Sequence, residues 1–362
     1  MAVINKLSIH QFRNLHTQHI TPCETINLFI GKNAQGKTNL IEAIYYLGHN
    51  RSFKTKTLKE VTRFKCSKFQ LSAEINEYLI KLEKSNNKNT VTVNQQKINN
   101  TSQLSQILPT QIITPDKGFI VNSTPKNKRS YLDWGVFHVK PESTKVFKNY
   151  NKILKNINTL LANHQTNELN FWFLELAKVS IIINKNRVDY LQQLKQTLFS
   201  EQTKILDTLI DSLNRFDYQF SSGWPKEVDA TNEQSIYQYL NKNTSSLLRV
   251  KHLNYGSHKA NIHFLFNGKN ECFFSRGEQK TLSIIFWLAQ VVLLINLNIK
   301  PIVLIDDLSS ELDNTKINII LHYLKDLKVQ TFITDISHNL SIINHINPVV
   351  FQVCNGEIKQ QD

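Results

Sequence analysis

The chain has 362 residues, 41% hydrophobic and 20% charged, with 43 Lys and Arg against 29 Asp and Glu, a formal balance of +14. That length buries a core of one large domain or two, and the basic excess biases the chain toward polyanions, although a lysine-rich surface alone produces the same number. The cysteines Cys23, Cys66, Cys272 and Cys354 are scattered, with no Cys-x-x-Cys pair, which argues against a zinc site or disulfide framework and for reduced thiols buried as small hydrophobes.

Residues 3–9 and 25–30 read as strands, and 69–75, 78–83 and 90–98 as a meander of half-buried antiparallel strands. Residues 39–47 interrupt them with helical spacing. From about 128 the period changes: Phe147, Tyr150, Leu154, Ile157 and Leu161 step by three and four, the mark of an amphipathic helix. A second long helix follows from Phe173 to Leu198. A third is expected around Leu206–Leu213 and a short one at 235–240. Strand character returns at 260–266. Residues 275–297 are helical, 301–305 form an apolar run suited to a buried parallel strand, 315–327 are helical, and 331–334 and 349–353 are short strands. The expected architecture is α/β, with an antiparallel β subdomain and an inserted helical subdomain. The parts are 1–120, a helical arm at 121–250, and 251–362. The start of the chain lacks a signal-peptide run, and the stretches 284–295 and 302–305 fall short of a membrane span. A soluble, cytoplasmic protein with no membrane partner is expected.

Gly31-Lys32-Asn33-Ala34-Gln35-Gly36-Lys37-Thr38 fits G-x-x-x-x-G-K-[ST] and sits after an apolar strand and before a helix. Two glycines let the backbone wrap an anion, and the helix adds its positive end. Lys37 is placed to reach the β- and γ-phosphates of ATP, and the Thr38 hydroxyl to ligate Mg²⁺. A chance match in a glycine-bearing loop is the bland alternative, which both flanks disfavour. Ile302-Val303-Leu304-Ile305-Asp306-Asp307 ends an apolar strand in acids, as such a loop requires. Asp306 is expected to hold Mg²⁺ through water and Asp307 to position or deprotonate the attacking water.

Phe274-Ser275-Arg276-Gly277-Glu278-Gln279-Lys280 opens a helix and is similar to the signature segment of the ABC ATPase superfamily. That resemblance implies that Ser275, Arg276, Gly277 and Glu278 act in trans, capping the γ-phosphate held by a second subunit, so that ATP joins a homodimer. A capping box between Ser275 and Glu278 explains the same residues, and both readings hold together. Ser309-Ser310-Glu311-Leu312-Asp313 resembles the D-loop of that superfamily. Phe12-Arg13-Asn14 resembles the FRN segment of chromosome-maintenance ATPases, which implies that Arg13 and Asn14 reach the phosphates.

These pieces, with Gly31–Ala43, the stretch Leu47-Gly48-His49-Asn50-Arg51-Ser52-Phe53, the run Pro125–Gly135 (Pro-x-x-x-Arg-x-x-Leu-Asp-Trp-Gly) and Gly256-Ser257-His258-Lys259, resemble the RecF family over nearly the whole chain. The resemblance implies a weak, DNA-stimulated ATPase that closes as a dimeric clamp on duplex DNA and gap junctions. It implies RecR, and through it RecO, as partners, and help in loading RecA. Candidates for the phosphate contacts are Lys54, Lys56, Lys59, Arg63 and Lys65, with Lys126, Lys128 and Arg129; a solvated lysine face is the bland alternative at each. Departures are Glu278 where glutamine is usual, and Ser257, Lys259 and Asn261 in the Gly256 segment. Asp335 stands where a switch histidine is found in transporters, with His338 three residues later. Gln111 and Asp116 are the candidates for sensing the γ-phosphate. Two other readings stay open: the nucleotide-binding subunit of a membrane transporter, and a regulator that binds ATP without turnover.

Overall fold

The computed structural model describes residues 2–86, 88–114, 120–210, 216–307, 312–335 and 346–361. The chain divides into two compact units. Met1–Gly118, Gln202–Asp211 and Lys280–Asp362 form the first, and Phe119–Glu201 with Ser212–Gln279 form the second.

The first unit carries a six-stranded sheet in the order Glu357–Gln360, Val349–Cys354, Ile26–Ile30, Thr331–Asp335, Ile302–Ile305, Thr110–Ile113. Every pair is parallel except the terminal hairpin. Ile26–Ile30, Ile302–Ile305 and Thr331–Asp335 are buried at every position. Strands covered on both faces read as unbroken apolar runs, so no alternation marks them. Thr110–Ile113, unforeseen in the sequence, is the outer strand at the other end of the sheet, with Ile112 half-buried. Parallel register pairs Asp335 with Ile30 and Ile305 with Ile333. The phosphate loop and both acids therefore leave the sheet at its carboxyl edge, where open α/β sheets bind ligands.

The same unit holds an antiparallel sheet in the order Gln18–Ile20, Ile4–His10, Lys68–Ile75, Tyr78–Ser85, Asn89–Val93, Gln96–Lys97. Here Lys68–Ile75 alternates buried side chains with half-buried or exposed ones. The stretch expected as one strand at 90–98 is a hairpin. Asn94 and Gln95 both take positive φ (48° and 68°), the left-handed pair that a two-residue reversal requires. The helix Lys37–His49 touches strands of both sheets. Beneath it Phe12, Tyr46 and Phe69 meet edge to face, with Phe12–Phe69 and Tyr46–Phe69 centroids 5.1 and 5.2 Å apart.

Arg276–Asn296 starts in the second unit and continues into the first. Contrary to the sequence expectation, it is long and apolar enough to cross a membrane, with a mean hydropathy of 1.4 over its most apolar window. That window is 78% buried, so this is a core helix.

In the second unit Pro125–Val139, Ser143–Ala162, Leu169–Leu198, Glu233–Lys242 and Thr244–Val250 are helices. Tyr150, Ile157, Leu161, Phe173 and Leu176, on the stripe that the three- and four-residue steps foretold, supply its buried core with Ile153 and Leu240, while Phe147 and Leu154 are only partly buried. Two expectations fail. The third helix is a 3-10 helix, Glu201–Leu209, lying mostly in the first unit, and Leu213 lies outside the described residues. The unit is also not purely helical and does not stop at 250. Phe216–Ser221 pairs with Asn261–Phe266, which pairs with Lys269–Asn270. The alternation of Phe216, Tyr218 and Phe220 carries that strand.

Candidate nucleotide-binding site

The loop from Gly31 to Lys37 follows the buried strand Ile26–Ile30 and ends at the first turn of the helix Lys37–His49. Gly36 has φ 116°, and a Cβ there would stand 2.9 Å from Asn14 Oδ1 and Leu15 Cδ2, so only glycine fits. A Cβ on Gly31 would run into the Val353 carbonyl oxygen. Ala34 takes the left-handed conformation as well, at φ 64°. The Asn355–Gly356 turn braces the loop from outside, since the Asn355 and Gly356 amides donate to Gln35 Oε1 and the Gln35 carbonyl at 2.5 and 2.9 Å. Lys32, Asn33 and Ala34 are exposed. Lys37 is buried and curls back over the loop, donating to the Gly31 and Lys32 carbonyls at 2.6 and 2.9 Å.

The acids converge on that lysine. Thr38 Oγ1 donates to Asp306 Oδ1 at 2.9 Å, and Thr334 Oγ1 donates to the same oxygen at 2.7 Å. The Asp307 amide donates to Thr334 Oγ1 at 3.0 Å, so one hydroxyl fixes both acids. Sequence reading passed over Thr334, whose role depends on a strand about three hundred residues from the loop. Burial lowers the Lys37 pKa against the opposing pull of Asp307, Asp306 and Asp335. Burial also raises the Asp306 pKa, opposed by the Thr334 and Thr38 hydroxyls and the Lys54 charge. Asp307 is half-buried with φ 54°, left-handed for a residue that has a Cβ. Such local strain is concentrated at functional sites.

Asn14, expected to reach the phosphates, lies against the loop. Its side chain accepts from Asn39 Nδ2 at 2.7 Å and reaches the Ala34 carbonyl at 3.5 Å. Arg13 does not. Its Nε and Nη2 fork onto the fully buried Glu42 at 2.9 and 2.8 Å, and Nη1 donates to the Glu60 carbonyl at 2.7 Å. Ser52 also donates to Glu42. A bidentate buried pair of this kind is structural, and it ties the segment 52–60 to the phosphate-loop helix. Gln111 is buried inside its strand at the register of Val303, short of the carboxyl edge. Asp335 lies on that edge, buried, at the end of its strand. Asp116, Ser309, Ser310, Glu311 and His338 lie outside the described residues. Asp313 caps the helix Asn314–Asp326, accepting from the Lys316 amide at 3.0 Å.

Ser275 and Glu278 form a reciprocal capping box. The Ser275 amide donates to Glu278 Oε2 at 2.7 Å, and the Glu278 amide to Ser275 Oγ at 3.2 Å. Ser275, Arg276 and Gly277 are exposed, and a Cβ on Gly277 would meet nothing closer than 4.0 Å.

The model of the RecF/RecN/SMC N-terminal domain matches residues 3–359. The DNA replication and repair protein RecF of Mannheimia succiniciproducens is 34% identical over 99% of both chains. The chain belongs to the RecF family. The protein of the same description from Psychromonas ingrahamii is 34% identical over 98% of this chain and 99% of its own. Two solved structures, described as the recombination mediator protein RecF-ATP and RecF-ATPrS in the RecFOR pathway, match with TM-scores of 0.86 and 0.85. They are 26% identical, over 100% of this chain and 98% of theirs. An Smc head domain from Pyrococcus furiosus, 12% identical with a TM-score of 0.59, shares the fold alone.

With the RecF family established, its distinctive Pro125–Gly135 stretch has a structural account. Asp133 holds Arg187 in a fork at 2.8 and 3.0 Å, and Arg187 Nη1 donates to the Ser257 carbonyl at 2.6 Å. Arg129 donates to the Ala260 carbonyl at 2.8 Å. His258 bonds the Tyr150 hydroxyl and the Leu253 carbonyl at 2.8 and 3.1 Å, and burial pushes its pKa down to about 4. The stretch is scaffold for the second unit. Two candidate DNA contacts are thereby withdrawn. Lys128 is buried, ion-paired with Glu271 and bonded to the Ile262 carbonyl at 2.8 Å, and Arg129 is spent on the backbone. Lys54, Lys56 and Lys126 are exposed, and Arg63 is half-exposed. The cysteines are free, but Cys272 and Cys354 are exposed and Cys23 and Cys66 only half-buried, so none is the buried hydrophobe expected.

Proposed function

We propose that this RecF-family chain binds ATP with Mg²⁺ at the Gly31–Thr38 loop and hydrolyses it slowly, in a site completed by Ser275, Arg276 and Gly277 of a second copy. The single observation that supports this most is the convergence of Lys37, Thr38, Asp306 and Thr334 at one sheet edge, with the helix start at Ser275–Gly277 exposed elsewhere on the chain. The hard oxygens of Thr38 and Asp306, 2.9 Å apart, fit a magnesium ion. Bound there, Mg²⁺ would neutralise charge developing on the phosphate oxygens. Lys37 leaves its two carbonyls to hold phosphate, and Asp307 orients the attacking water and takes its proton. The relatives' description as DNA replication and repair proteins, and the RecFOR setting of the structural matches, support action on DNA in the cytoplasm. Its form would be a clamp on duplex and gap junctions, with RecR and RecO as partners in loading RecA. A transporter subunit is disfavoured by the full-length match to RecF proteins.

Thr38→Ala tests the metal assignment. The variant is expected to bind ATP about 10-fold more weakly than the parent when Mg²⁺ is present, as loss of one liganding oxygen implies, and equally in EDTA. A titration by fluorescent nucleotide gives both numbers. Equal affinity under both conditions would remove Thr38 from the metal site. Phosphate release measured with and without duplex DNA tests the hydrolysis itself. A rate at background in both would favour a binder without turnover.

A further inference from the structure

Resting on the reading that this chain acts on nucleic acid, we infer that the turn at Thr62–Cys66 is a base-stacking contact, in which Phe64 packs against an unpaired nucleobase and neighbouring cations hold the flanking phosphates. Phe64 is 85% exposed, although leaving a phenyl ring in water forfeits its burial energy. The turn that displays it is tied down. The Arg63 amide donates to the Gln11 carbonyl at 2.8 Å, the Cys66 amide to the Arg63 carbonyl at 2.9 Å, and Thr62 bridges to Phe12. Lys65 holds φ 64° in that turn, and its ammonium lies 5.7 Å from the centre of the Phe64 ring. Exposed apolar surface, left-handed backbone and a firm anchor at one spot point to a use.

The surroundings say what kind. Lys54, Lys56, Lys59 and Lys65 are exposed in the same segment, and Glu60 is its single acid. Of the other large apolar side chains there, Phe53 and Val61 are buried and Leu58 is half-buried against the core. One isolated ring is too little for a protein-docking patch, which needs contiguous apolar area. It suffices for stacking, because every base offers a π-face, and the cations suit the phosphates on either side. Within a duplex the bases already stack on one another, so the preferred ligand has unpaired bases.

The test uses the full chain, Phe64→Ala and Phe64→Trp, with a single-stranded oligonucleotide and a blunt duplex of equal length. Phe64→Ala is expected to weaken single-strand binding about 10-fold, as loss of one base–aromatic stack does, and duplex binding by less than about 2-fold. Phe64→Trp should restore single-strand affinity, and its added emission, measured against the parent, should be quenched by the oligonucleotide. If Phe64→Ala binds the single strand as the parent does, or loses both ligands equally, the stacking role is wrong while the nucleic-acid reading stands. Unquenched Phe64→Trp emission overturns it too. If the parent binds neither ligand, the nucleic-acid reading itself falls, and the inference with it.

Discussion

Asp307→Asn is expected to bind ATP as tightly as the parent and to release phosphate at least about 100-fold more slowly, the usual loss when a positioned base is removed. The amide keeps the size and the backbone bond to Thr334 Oγ1 at 3.0 Å, so geometry is preserved and only proton affinity is lost. ATP bound without turnover should then hold two copies together, and the variant's dimer should persist where the parent's decays. Single-turnover phosphate release and the lifetime of the dimer after dilution provide the two readouts. An Asp307→Asn protein that turns over normally would move the base elsewhere. Asp335, buried at the same sheet edge and acting on the same Lys37, would be the next group to replace.

The second large effect is on stability. Glu271 is buried, ion-paired with Lys128, and accepts the Asn122 amide on its other oxygen at 2.9 Å. Removing one partner of a buried pair strands the other charge, which costs about 3–5 kcal/mol. Glu271→Ala and Lys128→Ala should each lower the unfolding free energy of the second unit by that amount, read as a fall in its urea midpoint. Lys128→Met combined with Glu271→Leu should be far milder, because two apolar side chains of similar volume leave no unpaired charge. Lys128→Met also separates scaffold from ligand contact. Loss of DNA affinity in proportion to loss of folded protein fits a scaffold role, whereas loss of affinity in fully folded protein would restore Lys128 as a phosphate contact.

Much of the site was legible because its chemistry is local. The phosphate loop needs eight consecutive residues with a strand before and a helix after, and 31–38 supply all of them. The acid pair needs a buried strand ending in carboxylates, and 302–307 show one. What escaped depends on partners distant in the chain. Thr334 acts by bonding Asp306 and the Asp307 amide, twenty-eight and twenty-seven residues away. Arg13 was assigned to phosphates by resemblance, but Glu42, one turn inside the phosphate-loop helix, takes its fork. Lys128 looked like part of a basic cluster, and nothing local indicated that Glu271 would bury it. The fold shows the same division. Amphipathic helices such as Ser143–Ala162 announce themselves by period. Phe216–Ser221 was masked by the helices around it, and Thr110–Ile113, four residues that open on two polar ones, has no alternation to read.

The central claim is that ATP joins two copies through a shared site, and molar mass by light scattering tests it most directly. The parent is measured alone, with ATP and Mg²⁺, and with duplex DNA added, beside Lys37→Met. The account predicts a dimer that needs ATP, strengthens on DNA and is lost in Lys37→Met. A parent that stays monomeric under every condition, or a Lys37→Met protein that dimerises as the parent does, would contradict it.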